Sequence, residues 1–90
     1  MVKKLTKHLA TITILSDDRH NNALAIQKVM TANSKLIHAR LGMNIVPACS
    51  AKCNGIICLI VEGSLSDIKA LTAKFNKIKD VSAKSLVITK

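Results

Sequence analysis

Apolar positions along this chain change period from two to about three and a half and back, and the changes mark out its elements. Thr11, Ile12, Thr13, Ile14 and Leu15 follow His8–Ala10 as a β-branched run and predict a first strand ending near Ser16. Asp17-Asp18-Arg19-His20 then supplies turn and N-cap chemistry, because an Asp side chain accepts orphan amide hydrogens and its charge suits a helix N-terminus. Ala23, Ile26, Val29 and Met30 recur at helical spacing, and Asn33 is placed to end that helix in a left-handed C-terminal turn. From Leu36 to Leu41 the pattern alternates, with Ile37, Ala39 and Leu41 facing one way and His38 and Arg40 the other; Gly42 is the expected stop. Met43 to Asn54 reads as an irregular loop containing the single proline, Pro47.

Gly55 opens an unbroken apolar run, Ile56-Ile57-Cys58-Leu59-Ile60-Val61, closed by Glu62-Gly63. Ser64-Leu65-Ser66-Asp67 resembles a capping box with Asp in the place of Glu or Gln. Ile68, Leu71, Thr72 and Phe75 mark one face of the helix that follows, Asn76 and Asp80 flank a turn through Ile78, and Val81 to Ile88 is the last strand. The order β-α-β-β-α-β predicts an α+β, ferredoxin-like sandwich: a four-stranded antiparallel sheet with two helices on one face. In that plan the first and third strands are central. The third is apolar at every position, as a strand buried on both faces requires. The edge strands carry Arg40 and Lys84, charges that discourage further pairing. Two helices cover only one face, so the apolar second face, to which Leu9 and Leu15 contribute, predicts self-association into a dimer or tetramer.

Composition narrows the picture. Ninety residues make one domain, 1–90, with 1–7 read as a flexible basic tail. Phe75 is the sole aromatic residue, so the core must be aliphatic. The formal charge of +9 is compatible with an anionic partner. Nucleic-acid modules built on such a sheet stack bases on strand aromatics, and these strands have none, so charge alone speaks for that reading. No run approaches the ~20 apolar residues of a membrane span, and an odd count of three cysteines argues against a disulfide framework. Both observations predict a cytoplasmic protein with no membrane partner.

From Ile14 to Val87 the chain resembles the small iron-only hydrogenase system regulators. The resemblance is carried by Asp18-Arg19 after the first strand, Arg40-Leu41-Gly42 in the second and the Ile56-to-Val61 strand. It continues through Asp67-Ile68, Ala70-Leu71 and Lys74-Phe75 on the second helix, then Val81 and Lys84. It implies a ferredoxin-like fold similar to ACT domains and to the ligand-binding half of the nickel-responsive repressor. The segment after Gly42 is longer here than in the family and carries Cys49 and Cys53, and family glycines around the second helix's turn are replaced by Asn76 and Asp80, residues that also adopt positive φ. By resemblance, ligands of such folds bind near the loop joining the first strand and helix and at subunit interfaces. That points to Asp18, Arg19 and His20, with Arg40 as an outside candidate.

Other chemistry is thin. Cys49-x3-Cys53-x4-Cys58 departs from the usual pairing of zinc ligands, and Cys58, between Ile57 and Leu59, reads as a buried thiol. Cys49 and Cys53 offer an alternative metal or redox site, with Lys52 favouring the thiolate. His8, His20 and His38 form no ligand set, and no Ser-His-Asp order, phosphate loop or metal triad appears. The reading is a non-enzymatic, homo-oligomeric regulatory or small-ligand-binding module with no cofactor expected. The alternatives are a Cys49/Cys53 metal or redox sensor and a small basic nucleic-acid adaptor.

Overall fold

The β-branched run after Lys7 becomes β1 (His8–Ser16), and a computed structural model describes residues 7–44 and 55–89, giving the backbone alone for Arg19, His20, Met43 and Asn44. Then follow α1 (Arg19–Ala32), β2 (Ile37–Asn44), β3 (Gly55–Gly63), α2 (Leu65–Asn76) and β4 (Val81–Val87). The strands form one antiparallel sheet in the order β2-β3-β1-β4, so the two most apolar strands take the centre.

Alternation then sorts the side chains. Ala10, Ile12 and Ile14 of β1, and Leu59 and Val61 of β3, point to the helices and are buried with Ile26 and Met30 of α1, Ile68, Leu71 and Phe75 of α2, and Val81 and Ala83 of β4. Phe75 is fully enclosed at 0% exposure, so the one aromatic ring sits in the middle of an otherwise aliphatic core. Its helix is well specified. Asp67 N–H donates to Ser64 Oγ at 3.1 Å while Asp67 Oδ2 accepts from Ser64 N–H at 3.3 Å, so Asp does complete the capping box. At the other end of α2 the Asn76 amide clips the outer edge of β4: its Nδ2 donates to the Ala83 carbonyl at 2.9 Å and its Oδ1 accepts from the Ala83 N–H at 2.7 Å. These two bonds satisfy backbone groups that an edge strand would otherwise leave open. The reversal into β4 is taken by Asp80, whose φ of 64° replaces a glycine's conformation; Asn76 is helical instead.

Four local expectations are corrected. Asp18 is the N-cap residue of α1, but its carboxylate caps no backbone group; Oδ2 accepts from Asn21 Nδ2 at 2.7 Å. Asn33 ends α1 with φ −120°, not in the left-handed region, and secures the last turn by donating from Nδ2 to the Val29 carbonyl at 2.8 Å. Gly42 does not stop β2, which runs on to Asn44. The fourth correction concerns facing. Ile37 pairs with Val61, but Ala39 pairs with Ile60, so a bulge at His38 inserts one residue into the alternation. Ile37 still packs against the core, while Arg40 turns to the helix side and Leu41, 72% exposed, turns to the open face. One inserted residue reverses every side chain beyond it, because the period of a strand is two.

Candidate functional site

The reversed Arg40 stands at the mouth of a cleft. α2 lies close over β4 and helps seal the core on that side, whereas α1 approaches the sheet less closely. The space left between α1 and the β2–β3 edge is a cleft of about 470 Å³. Its size falls within the range of small-molecule sites. Ala23, Ile26 and Met30 form the helix wall and Ile57 the sheet wall; Gly42 and Gly55 keep the floor free of side chains. Arg40 and Gln27 close one end, where Arg40 Nη1 donates to Gln27 Oε1 at 2.9 Å and reaches Met30 Sδ at 3.8 Å. Ser16 lines the other end, its buried Oγ accepting from Asn22 Nδ2 at 3.0 Å and leaving its own O–H to donate. The arrangement is mostly apolar with few polar groups, one of them a full positive charge.

Of the residues that resemblance points to, Arg40 lines this cleft and Asp18 does not; Asp18 is buried at the start of α1, and the side chains of Arg19 and His20 lie outside the described residues. Cys49 and Cys53 lie outside the described residues as well. Among the described residues no group of three or more His, Cys, Asp or Glu side chains is placed to hold a metal. Cys58 is a free thiol, half-buried on the open sheet face opposite Leu41 and Thr13 and not inside the core. Sequence reasoning missed Gln27, Gly42 and Ser16. Gln27 lies one residue beyond Ile26 in the apolar stripe of α1 and read as plain helix surface, Gly42 read as a terminator and Ser16 as a strand end.

The open face is the second feature. Leu9, Leu41, Ile60 and Leu86 are 40%, 72%, 47% and 65% exposed. Ile60 and Thr11 are paired across the two central strands, with Leu86 beside Thr11 and Ala39 beside Ile60. His38 and Glu62 form the polar margin of this surface, with Nε2 to Oε1 at 2.7 Å. No helix among the described residues is long and apolar enough to cross a membrane.

Residues 8–85 match the TM1266-like family, whose description reads "Iron-only hydrogenase system regulator, putative". None of the curated proteins compared with the chain matches it. Among solved structures the chain is similar to the uncharacterized protein TM1266 of Thermotoga maritima, with TM-score 0.78 and 24% identity over 92% of this chain and 99% of that one. It is also similar to the ACT domain of GTP pyrophosphokinase from Chlorobium tepidum, with TM-score 0.63 and 20% identity over 91% of this chain and 89% of that one. An unknown protein from Galdieria sulphuraria aligns with TM-score 0.70 and 8% identity; the match covers 99% of this chain and 54% of that one. At these identities the solved structures establish a shared fold.

Proposed function

The chain belongs to the TM1266-like family, and from that premise we propose that it is a cytoplasmic, non-enzymatic regulatory module that binds a small ligand between α1 and β2 and self-associates through its open sheet face. The cleft carries this reading: an apolar slot with a cation at one end and a hydroxyl at the other. The described residues forming it include no carboxylate and no nucleophile–base pair, and those present suit binding and orienting a ligand. The family description and the ACT-domain likeness support a regulatory or ligand-binding role. The exposed leucines and Ile60 support a covered sheet face, since an apolar surface of that extent is unfavourable in water.

Gly42 provides the test. A Cβ there meets Ile57 Cγ1 at 3.8 Å and the Ile56 carbonyl oxygen at 4.0 Å, ordinary contact distances, and its φ is not positive. Gly42→Val is therefore expected to fold and to fill the cleft. A broad panel of metabolites, screened by thermal shift, should include a compound that raises Tm of the parent protein and leaves Gly42→Val unmoved. A compound that stabilises both equally would place the ligand elsewhere, and a panel without any stabilising member would remove the ligand-binding reading.

A further inference from the structure

Resting on the reading of the cleft as a ligand site, we infer that it selects a monocarboxylate with a neutral aliphatic body and discriminates against the ammonium group of an amino acid. Arg40 supplies the attraction for a carboxylate. Its partners, the Gln27 amide and the Met30 sulfur, are both neutral and both are met by Nη1. A guanidinium has five N–H donors in a planar fork, so Arg40 retains donors suited to the two oxygens of a carboxylate. Gln27 Oε1 already accepts from Arg40 and holds the guanidinium at the end of the slot. Among the described lining residues Arg40 is the one cation, and with its neutral brace it matches a singly charged oxyanion.

The placement of acid supplies the discrimination against an ammonium. The whole chain has five acidic residues, Asp17, Asp18, Glu62, Asp67 and Asp80, and none lines the cleft. Glu62 is paired with His38, Asp67 is in the capping box of α2, and Asp18 holds Asn21. The sequence between Asn44 and Gly55 contains no Asp or Glu. An ammonium entering the slot would lose water and, among the described lining residues, meet only neutral acceptors beside an arginine. That combination penalises the cation by desolvation and by like-charge repulsion. The body of the ligand is set by Ile26, Met30 and Ile57, which offer surface to hydrocarbon and nothing to a second charge. Along the strand, four residues separate the row of Arg40 from that of Ser16, about 13 Å at the usual rise, so the slot is long enough for an aliphatic chain lying beside α1.

Three six-carbon probes test this on the full chain: hexanoate, norleucine and hexylamine. They share a body and differ in charge. Their binding is followed through the amide resonances of Ala23, Gln27 and Gly42 in the 15N-labelled protein. Hexanoate is expected to move these signals and to bind roughly tenfold or more tightly than norleucine, the range of a charge-assisted hydrogen bond kept free of an opposing charge. Hexylamine is expected to leave them in place. Arg40→Gln should weaken hexanoate by a similar factor, and Gly42→Val should abolish its effect, both with unchanged spectral dispersion elsewhere. Norleucine binding as tightly as hexanoate, hexylamine moving the same signals, or a hexanoate response that survives both substitutions would overturn the inference. So would the absence of any response to hexanoate at those amides. In that case a panel compound blocked by Gly42→Val would leave the cleft as a ligand site with other chemistry, and no such compound would remove both.

Discussion

The two halves of the helix layer are built to different standards. α2 is capped at its start by a reciprocal Ser64–Asp67 pair, buries Ile68, Leu71 and Phe75, and is tied at its end to β4 through Asn76. α1 has no side-chain bond capping its N-terminus, no acidic residue in its first turn and no basic one in its last, and of its apolar stripe Ile26 and Met30 are buried. One half closes the core; the other leaves a slot beside it. A domain of this size has little stability to spare, so a well-sealed half permits the looseness that a binding cleft needs.

That contrast can be broken by experiment. The largest effect should come from Phe75→Ala, which truncates the largest of the fully buried side chains; a loss of about 3–5 kcal/mol by urea denaturation is expected, against about 2 kcal/mol for Met30→Ala. Met30 borders the open cleft, so water can occupy part of the space it vacates. Equal losses at the two positions would mean that α1 is sealed as firmly as α2. Next is Asn76→Ala. It strips both partners from the Ala83 N–H and carbonyl, and a cost of about 1–3 kcal/mol is expected, with faster hydrogen exchange at Ala83 and little change at Arg40. Uniformly faster exchange over β2 and β4 would show that the clip serves the whole sheet.

The smallest effect on the folded subunit should be that of Ile60→Lys. The open face runs beneath both halves, and Ile60 lies between Ala39 and Thr11 on it, half exposed in the single subunit. Folding stability of the separated subunit should change by less than about 0.5 kcal/mol, as for an exposed position. Light scattering should show a dimer or tetramer for the parent protein and a monomer for the variant. Alkylation followed by mass spectrometry should find Cys58, on the same face, labelled faster in the variant. A monomeric parent protein, or an oligomer indifferent to the lysine, would rule out association through this face.

Much of this was written in local pattern. The alternation of β1, the unbroken apolar run of β3, the stripe of α2 and the Ser64–Asp67 cap depend on neighbours within a few residues, so the order of elements, the central strands and the apolar second face follow from sequence. The family match agrees with that, since 8–85 is nearly the whole of the described chain. The site did not follow in the same way. Nothing in Ile37-His38-Ala39-Arg40 announces a bulge; it arises where β2 meets Val61 and Ile60 of β3, and it alone decides that Arg40 faces α1 and Leu41 faces outward. The slot itself is a distance between α1 and the sheet, set by how two helices share one face, and Gly42 and Ser16 gain meaning only from lying on its walls. Sequence determined the buried faces of β1 and α2, where periodicity is clear, but not the facing of Cys58 in the all-apolar β3 or of the residues beyond the bulge in β2. Tertiary structure decided which charge meets which cavity, because that depends on pairing register between segments about twenty residues apart.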